Sequence, residues 1–254
     1  MKDHILTLNA GSSSLKFALF DDDAVAAAGA PKIAGQVEGL GTHPRLSVKS
    51  GENRLVDRQW ANGEAGCPKG VYDALRVVLE WLEGHFGGLK VSVVGHRIVH
   101  GGVQYSAPML IDDATFRTLE SFVPLAPLHQ PHNLDGVRAA IEQFPGVPQV
   151  ACFDTAFHRG HPFVHDTFAI PREYYDQGVR RYGFHGLSYE YIAQCLPGVD
   201  PRAAAGRTVI AHLGSGASMC ALLAGKSVTS TMGFTPLEGL PMGTRPGQID
   251  PGVL

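Results

Sequence analysis

Charge is scarce in this chain: Asp, Glu, Lys and Arg make up 18% of its 254 residues and the formal net charge is −3. Nothing in that balance draws it to nucleic acid or to an anionic membrane surface. Cysteine is equally sparse. Cys67, Cys152, Cys195 and Cys220 form no C-x-x-C pair, which removes the usual zinc and dithiol signatures. Cys152 and Cys220 lie inside apolar runs and are expected to be buried free thiols. No apolar run approaches the length that spans a bilayer, and Met1-Lys2-Asp3-His4 leads straight into a strand pattern with no room for a signal peptide. The expected location is the cytoplasm.

Several familiar motifs are also missing. Ala224-Gly225-Lys226-Ser227 has the ending of a P-loop, but the earlier glycine falls at Cys220 and the segment follows a strand pair instead of opening a helix. Gly214-Ser215-Gly216 lacks the third glycine of a dinucleotide fingerprint, Met219 standing there. No G-x-S-x-G supports a hydrolase elbow. His158, His161 and His165 lie in a Gly/Pro loop without an H-E-x-x-H helix, so they read as loop histidines, not as a metal centre.

What the chain has in quantity is punctuation, 31 glycines and 17 prolines, which suits many short α/β elements better than a helical bundle. It begins with two apolar runs, Ile5–Leu8 and Leu15–Phe20, around Asn9-Ala10-Gly11-Ser12-Ser13-Ser14. This pattern predicts a hairpin. Glycine permits backbone shapes in which successive N–H groups point into one concavity, with hydroxyls, an Asn amide and Lys16 around it. The stretch reads either as an oxyanion cradle or as an ordinary serine-rich turn.

Residues 36–49 and 55–60 predict further short strands, so the sheet starts antiparallel. A helix over 71–82 puts Leu75, Val78, Leu79 and Leu82 on one face and is expected to close at Gly84. Residues 91–94 predict a buried strand entering GHRIVHGG. Helices are expected over 112–122 and 134–144, then a strand over 149–153 delivering Asp154 at its end. Such alternation predicts a mixed sheet with ligand groups at the carboxyl ends of its strands. Residues 163–170 read as extended, 171–175 as a short helix, 180–186 as a loop opening a helix near 187–195, and 197–206 as a linker.

The first hairpin then recurs. Laying LTLNAGSSSLKFALF over VIAHLGSGASMCALL pairs Asn9 with His212, Gly11 with Gly214 and Ser12 with Ser215 inside matched apolar flanks. Two similar halves, each offering a phosphate-gripping hairpin to a cleft, are expected. Among the polar groups at strand ends, Arg97 and Arg245 lie in glycine-rich surroundings fit for carboxylate or phosphate, or for surface ion pairs. Asp154 suits a metal-bound nucleotide, proton transfer or a helix cap. His185, between Phe184 and Gly186, suits donation to an oxyanion or a structural hydrogen bond.

Taken in order, LTLNAGSSSLKF, GHRIVHGG, PLAPLHQPHNL, CFDTAFH, RRYGFHGLSYEYIA, HLGSGAS and TMGFTPLEGLPMGTRPGQIDPG resemble the acetate kinase family, from residue 5 to the last residue. The resemblance implies an α/β fold of duplicated ribonuclease-H-like, actin-like ATPase domains with mixed sheets, over residues 1–155 and an incomplete 156–254. It implies transfer of the γ-phosphate of MgATP to acetate, giving ADP and acetyl phosphate, with Mg²⁺ as cofactor. Partners would be these small molecules, with no nucleic acid or membrane, and a homodimer in the full-length parent.

Carried over residue by residue, the resemblance implies Asn9 at the magnesium and phosphates, with Ser12, Ser14 and Lys16 on the same phosphate hairpin. Arg97 would hold the acetate carboxylate and Asp154 would be the catalytic acidic residue, while His185 and Arg245 stabilise the transition state. His212, Leu213, Gly214, Ser215 and Gly216 would form the second phosphate hairpin. Val99, Leu128, Phe184 and Pro236 would wall the methyl pocket.

The chain departs from the family pattern at Ser215, where H-L-G-N-G has Asn, at Tyr189, where a second histidine often follows G-F-H-G-x-S, and at Pro246 and Gln248. The family's adenosine-binding glycine-rich segment, its later acidic magnesium ligand and its closing helix have no counterpart up to Leu254. Propionate or butyrate as the acid, a non-catalytic fragment binding phosphate, carboxylate or a full-length subunit, and a general actin-fold ATPase are the alternative readings. The last is disfavoured because only a small-acid kinase needs Arg97, His185 and Arg245 together.

Overall fold

The computed structural model describes residues 3–22, 29–61 and 63–253; Met1, Lys2 and Leu254, which figure in the expectations above, lie outside them. The chain divides into two compact units, residues 1–98 with 109–151, and residues 99–108 with 152–254.

In the first unit, alternation of apolar and polar residues produces β1 (His4–Ala10) and β2 (Ser14–Asp21), which pair antiparallel with Asn9 opposite Lys16 and Ala10 opposite Leu15. The meander continues through β3 (Ile33–Glu38), β4 (Arg45–Ser50) and β5 (Asn53–Gln59). On its other side β1 pairs parallel with β6 (Val91–Ile98). With β7 (Met109–Leu110) and β8 (Gln149–Phe153), the eight-stranded order is β5-β4-β3-β2-β1-β6-β8-β7. The sheet is mixed, antiparallel from β5 to β1, parallel between β1 and β6 and antiparallel between β8 and β7, as the α/β expectation requires.

Period 2 sends Leu6, Leu8, Leu15, Phe17 and Leu19 into a core that also takes Ala74, Leu75, Val78 and Leu82 of α1 (Val71–Phe86). Helix α1 runs through Gly84, which meets nothing that a side chain would disturb, and ends at Gly87, whose φ of 65° makes it the left-handed cap. The expected stop at Gly84 therefore fell one turn short. Helix α2 (Asp113–Ser121) is capped by Asp112, whose carboxylate accepts from Thr115 N at 2.7 Å. Helix α3 (Gln130–Gln143) starts four residues before the expected Leu134, because a proline in the first helical turn forfeits no hydrogen bond there. It is held against the end of β1: Asn133 Nδ2 donates to Ala10 O at 2.7 Å, and a Cβ on Gly136 would stand 2.7 Å from that of Ala10.

The second unit has a three-stranded antiparallel sheet, β9 (Arg207–Leu213), β10 (Ala217–Leu223) and β11 (Lys226–Ser230), in the order β11-β10-β9. Its helices are α4 (Phe163–Asp166), α5 (Arg172–Asp176), α6 (Gly186–Val199) and α7 (Pro201–Ala205). Tyr189, Cys220 and Leu222 are buried together with Phe157, Ala193 and Ile210 packed on them. Two expectations need correction here. The segment read as extended contains the single turn α4, His165 N and Asp166 N bonding back to Pro162 O. The segment read as a linker is helical, since Pro197 falls in the last turn of α6 and Asp200 caps α7 by accepting from Ala203 N.

The second hairpin has Leu213 opposite Ala217 and His212 opposite Ser218. Its turn holds three residues, 214–216, against four, 11–14, in the first. The overlay of the two stretches therefore holds on the incoming strand and slips by one residue on the outgoing strand. Ala224 and Gly225, with φ of 48° and 75°, form the tight turn joining β10 to β11, so the Gly225-Lys226-Ser227 stretch is a hairpin and no P-loop. Among the described residues no helix is long and apolar enough to cross a membrane.

Candidate active site

In the first unit, Asn9, Lys16 and Arg97 come from three adjacent strands. Asn9 and Lys16 are direct cross-strand partners, and Leu8 pairs with His96, one residue earlier on each of β1 and β6. Arg97 Nη1 donates to Asn9 Oδ1 at 3.3 Å. His96, pointing the other way, is buried; its Nε2 meets Gln149 Oε1 at 2.7 Å, and burial pushes its pKa down to about 4. That neutral imidazole fixes the strand carrying Arg97.

At Gly11 the backbone follows the ordinary-turn reading. Gly11 N is spent closing the turn onto Ser14 O at 2.8 Å, φ at Gly11 is not positive, and a Cβ there would meet only Ser14 atoms at an ordinary 3.6 Å. Neither backbone shape nor crowding within the protein demands glycine. Ser12 is exposed, and Lys16 with Ser13, Ser14, Gln36 and Arg45 lines a polar groove of about 710 Å³. Leu128 is 71% exposed.

The second unit gathers the rest. Strand β8 delivers Asp154, 2% exposed, and the turn Ala156–His158 begins after Thr155, whose own side chain does not cap it. Asp154 O accepts from Gly186 N at 2.8 Å, an approach that only glycine permits, since a Cβ on Gly186 would lie 2.2 Å from that oxygen. His185 has φ of 59°, one of two non-glycine residues with positive φ among those described. Such a conformation costs about 1 kcal/mol or more and persists where surroundings over-determine it. Here they do. Phe184 O accepts from His158 Nε2 at 3.0 Å, Asp154 O holds Gly186, and His185 Nδ1 lies 2.8 Å from Ser218 Oγ.

The imidazole of His185 stacks on that of His212, centroids 4.1 Å apart at 22°, and His212 Nδ1 meets Ser188 Oγ at 3.0 Å. A Cβ on Gly216 would lie 3.2 Å from His185 Nε2 and 3.7 Å from Arg245 Nη1. The hairpin 212–216, His185 and Arg245 thus share one small space, kept open by the absent side chain. Arg245 Nη1 also donates to Pro236 O at 3.0 Å, which ties the loop carrying Arg245 to the residue expected at the methyl pocket. Val99 and Phe184 are buried, the latter edge-on to His100, whose own burial lowers its pKa to about 4.

The loop histidines are occupied: His158 Nδ1 and His161 Nε2 meet Ser227 Oγ at 2.8 and 2.7 Å, and His165 Nδ1 donates to Val228 O of β11 at 2.9 Å. Since a carbonyl only accepts, His165 Nδ1 carries its hydrogen there. Sequence reading assigned no role to Ser218, Tyr189 or Ser227, whose hydroxyls bond in this unit. The cross-strand position of Ser218 opposite His212 was the available signal. Cys220 is a buried free thiol, its pKa pushed up to about 11 by burial, while Cys152 is half-buried.

Comparison with known proteins places the chain in a family. The acetokinase family profile matches residues 4–254. The acetate kinase of Nitrobacter hamburgensis is 54% identical over 99% of this chain and 61% of its own length, and that of Methylocella silvestris 52% identical over 98% and 63%. Among solved structures, a propionate kinase from Francisella tularensis superposes with a TM-score of 0.85 at 35% identity, over 99% of this chain and 62% of its own. The Porphyromonas gingivalis acetate kinase does so with a TM-score of 0.82, also at 35% identity, over 99% and 62%. The chain therefore spans about three-fifths of the length of the relatives it matches. On the profile match and these identities, the chain belongs to the acetokinase family.

Proposed function

We propose that this chain handles the acid and the phosphoryl group in an acetate kinase reaction, MgATP plus acetate giving ADP and acetyl phosphate, reversibly. The observation that carries the reading is the convergence of His185 Nε2 and Arg245 Nη1 over Gly216 of a glycine hairpin in a chain of this family. A carboxylate oxygen of acetate forms a bond to the γ-phosphorus as the bond to ADP breaks, so the protein's task is in-line positioning and compensation of charge on the transferred group. Arg245 and His185 suit that compensation. Arg97, a planar fork, suits the acetate carboxylate. Asp154 is the catalytic acidic residue of this reading, and the two hairpins, through Ser12, Ser14, Lys16 and residues 212–216, take the nucleotide phosphates. Val99, Leu128, Phe184 and Pro236 meet the methyl group.

Among the described residues no three His, Cys, Asp or Glu side chains form a metal cage. The oxygen-donor amide of Asn9 fits a magnesium ion held mainly by phosphate oxygens and water. When bound, the ion neutralises phosphate charge. A cytoplasmic location and a homodimeric full-length form belong to the same reading and are tested by cell fractionation and light scattering. Trapping acyl phosphate as its hydroxamate, with acetate, propionate and butyrate offered in turn, tests the activity and the preferred acid. A second reading is binding of carboxylate or phosphate without turnover. Calorimetry showing acetyl phosphate binding with no hydroxamate formed would select it.

A further inference from the structure

Tyr189 is fully buried on α6, and its hydroxyl meets Ser218 Oγ in a short hydrogen bond. Ser218, also fully buried, meets His185 Nδ1 at 2.8 Å. Two hydroxyl hydrogens and one ring nitrogen must be arranged so that no buried O–H is stranded. Ser218 Oγ is the acceptor within hydrogen-bond reach of the Tyr189 hydroxyl. Tyr189 stays a neutral O–H donor, its pKa pushed up to about 12, chiefly by burial. Once Ser218 Oγ accepts from Tyr189, its own hydrogen has His185 Nδ1 as its acceptor. The opposite direction, from His185 through Ser218, would leave the Tyr189 hydrogen without an acceptor.

We propose that Tyr189 is a positioning residue which, acting through Ser218, locks neutral His185 in the tautomer protonated at Nε2. That nitrogen is the one beside Gly216 and Arg245, so the ring offers an N–H donor to an oxyanion there in place of a lone pair. The benefit of a donor at Nε2 rests on the kinase reading above; the tautomer itself does not. Backbone pinning at Phe184 and Gly186 sets where the ring stands, and the hydroxyl pair sets which nitrogen is loaded.

The test is ¹⁵N NMR of histidine-labelled protein above pH 8, with Tyr189→Phe and Ser218→Ala as variants. The wild type is expected to give His185 resonances of a single Nε2–H tautomer. Ser218→Ala, which removes the donor to Nδ1, should give a mixture, and Tyr189→Phe should move the populations the same way while keeping the ring's packing. A wild-type His185 protonated at Nδ1, or populations unchanged in both variants, overturns the proposal. If the wild type forms acyl phosphate, Tyr189→Phe should lower kcat by about tenfold with KM for the acid nearly unchanged. Absence of acyl phosphate in the wild type counts against the kinase reading, while the resonances still decide the tautomer.

Discussion

Arg97 on β6 donates to Asn9 on β1, Nη1 to Oδ1 at 3.3 Å, so the residue read as the acid's grip and the residue read as the magnesium-side donor share a contact within one sheet. Replacing Arg97 by Ala should lower kcat/KM for acetate by about 100-fold or more. Arg97→Lys should recover little of it, because a point charge cannot reproduce a two-pronged grip on a carboxylate. Steady-state kinetics over a range of acetate concentrations checks both. Equal activity in the Lys variant would contradict the role given to the fork.

Glycines 216 and 186 should respond oppositely to the same change. Gly216 has no positive φ, so Ala is allowed there by the backbone, and its Cβ would fall 3.2 Å from His185 Nε2. Gly216→Ala should fold with a melting temperature close to wild type while losing most of its acyl phosphate formation. Gly186→Ala pushes a Cβ against Asp154 O and should cost roughly 2–4 kcal/mol of stability. Thermal melts and hydroxamate assays on the two variants separate the effects.

Much of this arrangement was legible before the structure. The two hairpins show because strands of period 2 with buried alternate residues set their own register, and Asp154 shows because a β-rich run ends on it. Ser218 escaped for a local reason: the second turn is one residue shorter than the first, so an ungapped overlay sets Ser218 against Leu15, a core position. Tyr189 was noted only as a departure, and its bond to Ser218 escaped because an apolar helical face and a hydroxyl that ends on a serine look alike in sequence. At Gly11 the ordinary-turn reading fits, its N–H being used by the turn instead of facing outward.

Ser227 satisfies two histidines at once. His158 Nε2 donates to Phe184 O, which leaves Nδ1 to accept the Ser227 hydrogen, and His161 Nε2 then donates to the same oxygen. Ser227→Ala strands both and should destabilise the protein by about 2–4 kcal/mol. Denaturant titration measures this; a loss below roughly 0.5 kcal/mol would show that the pair does not carry the segment.

Acid should unfold the protein through its buried histidines. Burial lowers the pKa of His96, His100 and His158 to about 4 each, against an unfolded value of about 6.5. The unfolded chain binds more protons between those values, so stability is complete above about pH 6.5, falls as pH drops toward 4, and loses nothing further from these groups below that. His96→Gln or His158→Gln should flatten that slope. Urea midpoints measured from pH 8 to pH 4 in the wild type and each variant give the comparison.

The central claim, phosphoryl transfer to a small carboxylic acid, is tested most directly by incubating the purified 254-residue chain with MgATP, acetate and hydroxylamine. The account predicts acetyl hydroxamate that depends on acetate and ATP and is lost in Arg97→Ala. No hydroxamate from acetate, propionate or butyrate would contradict it.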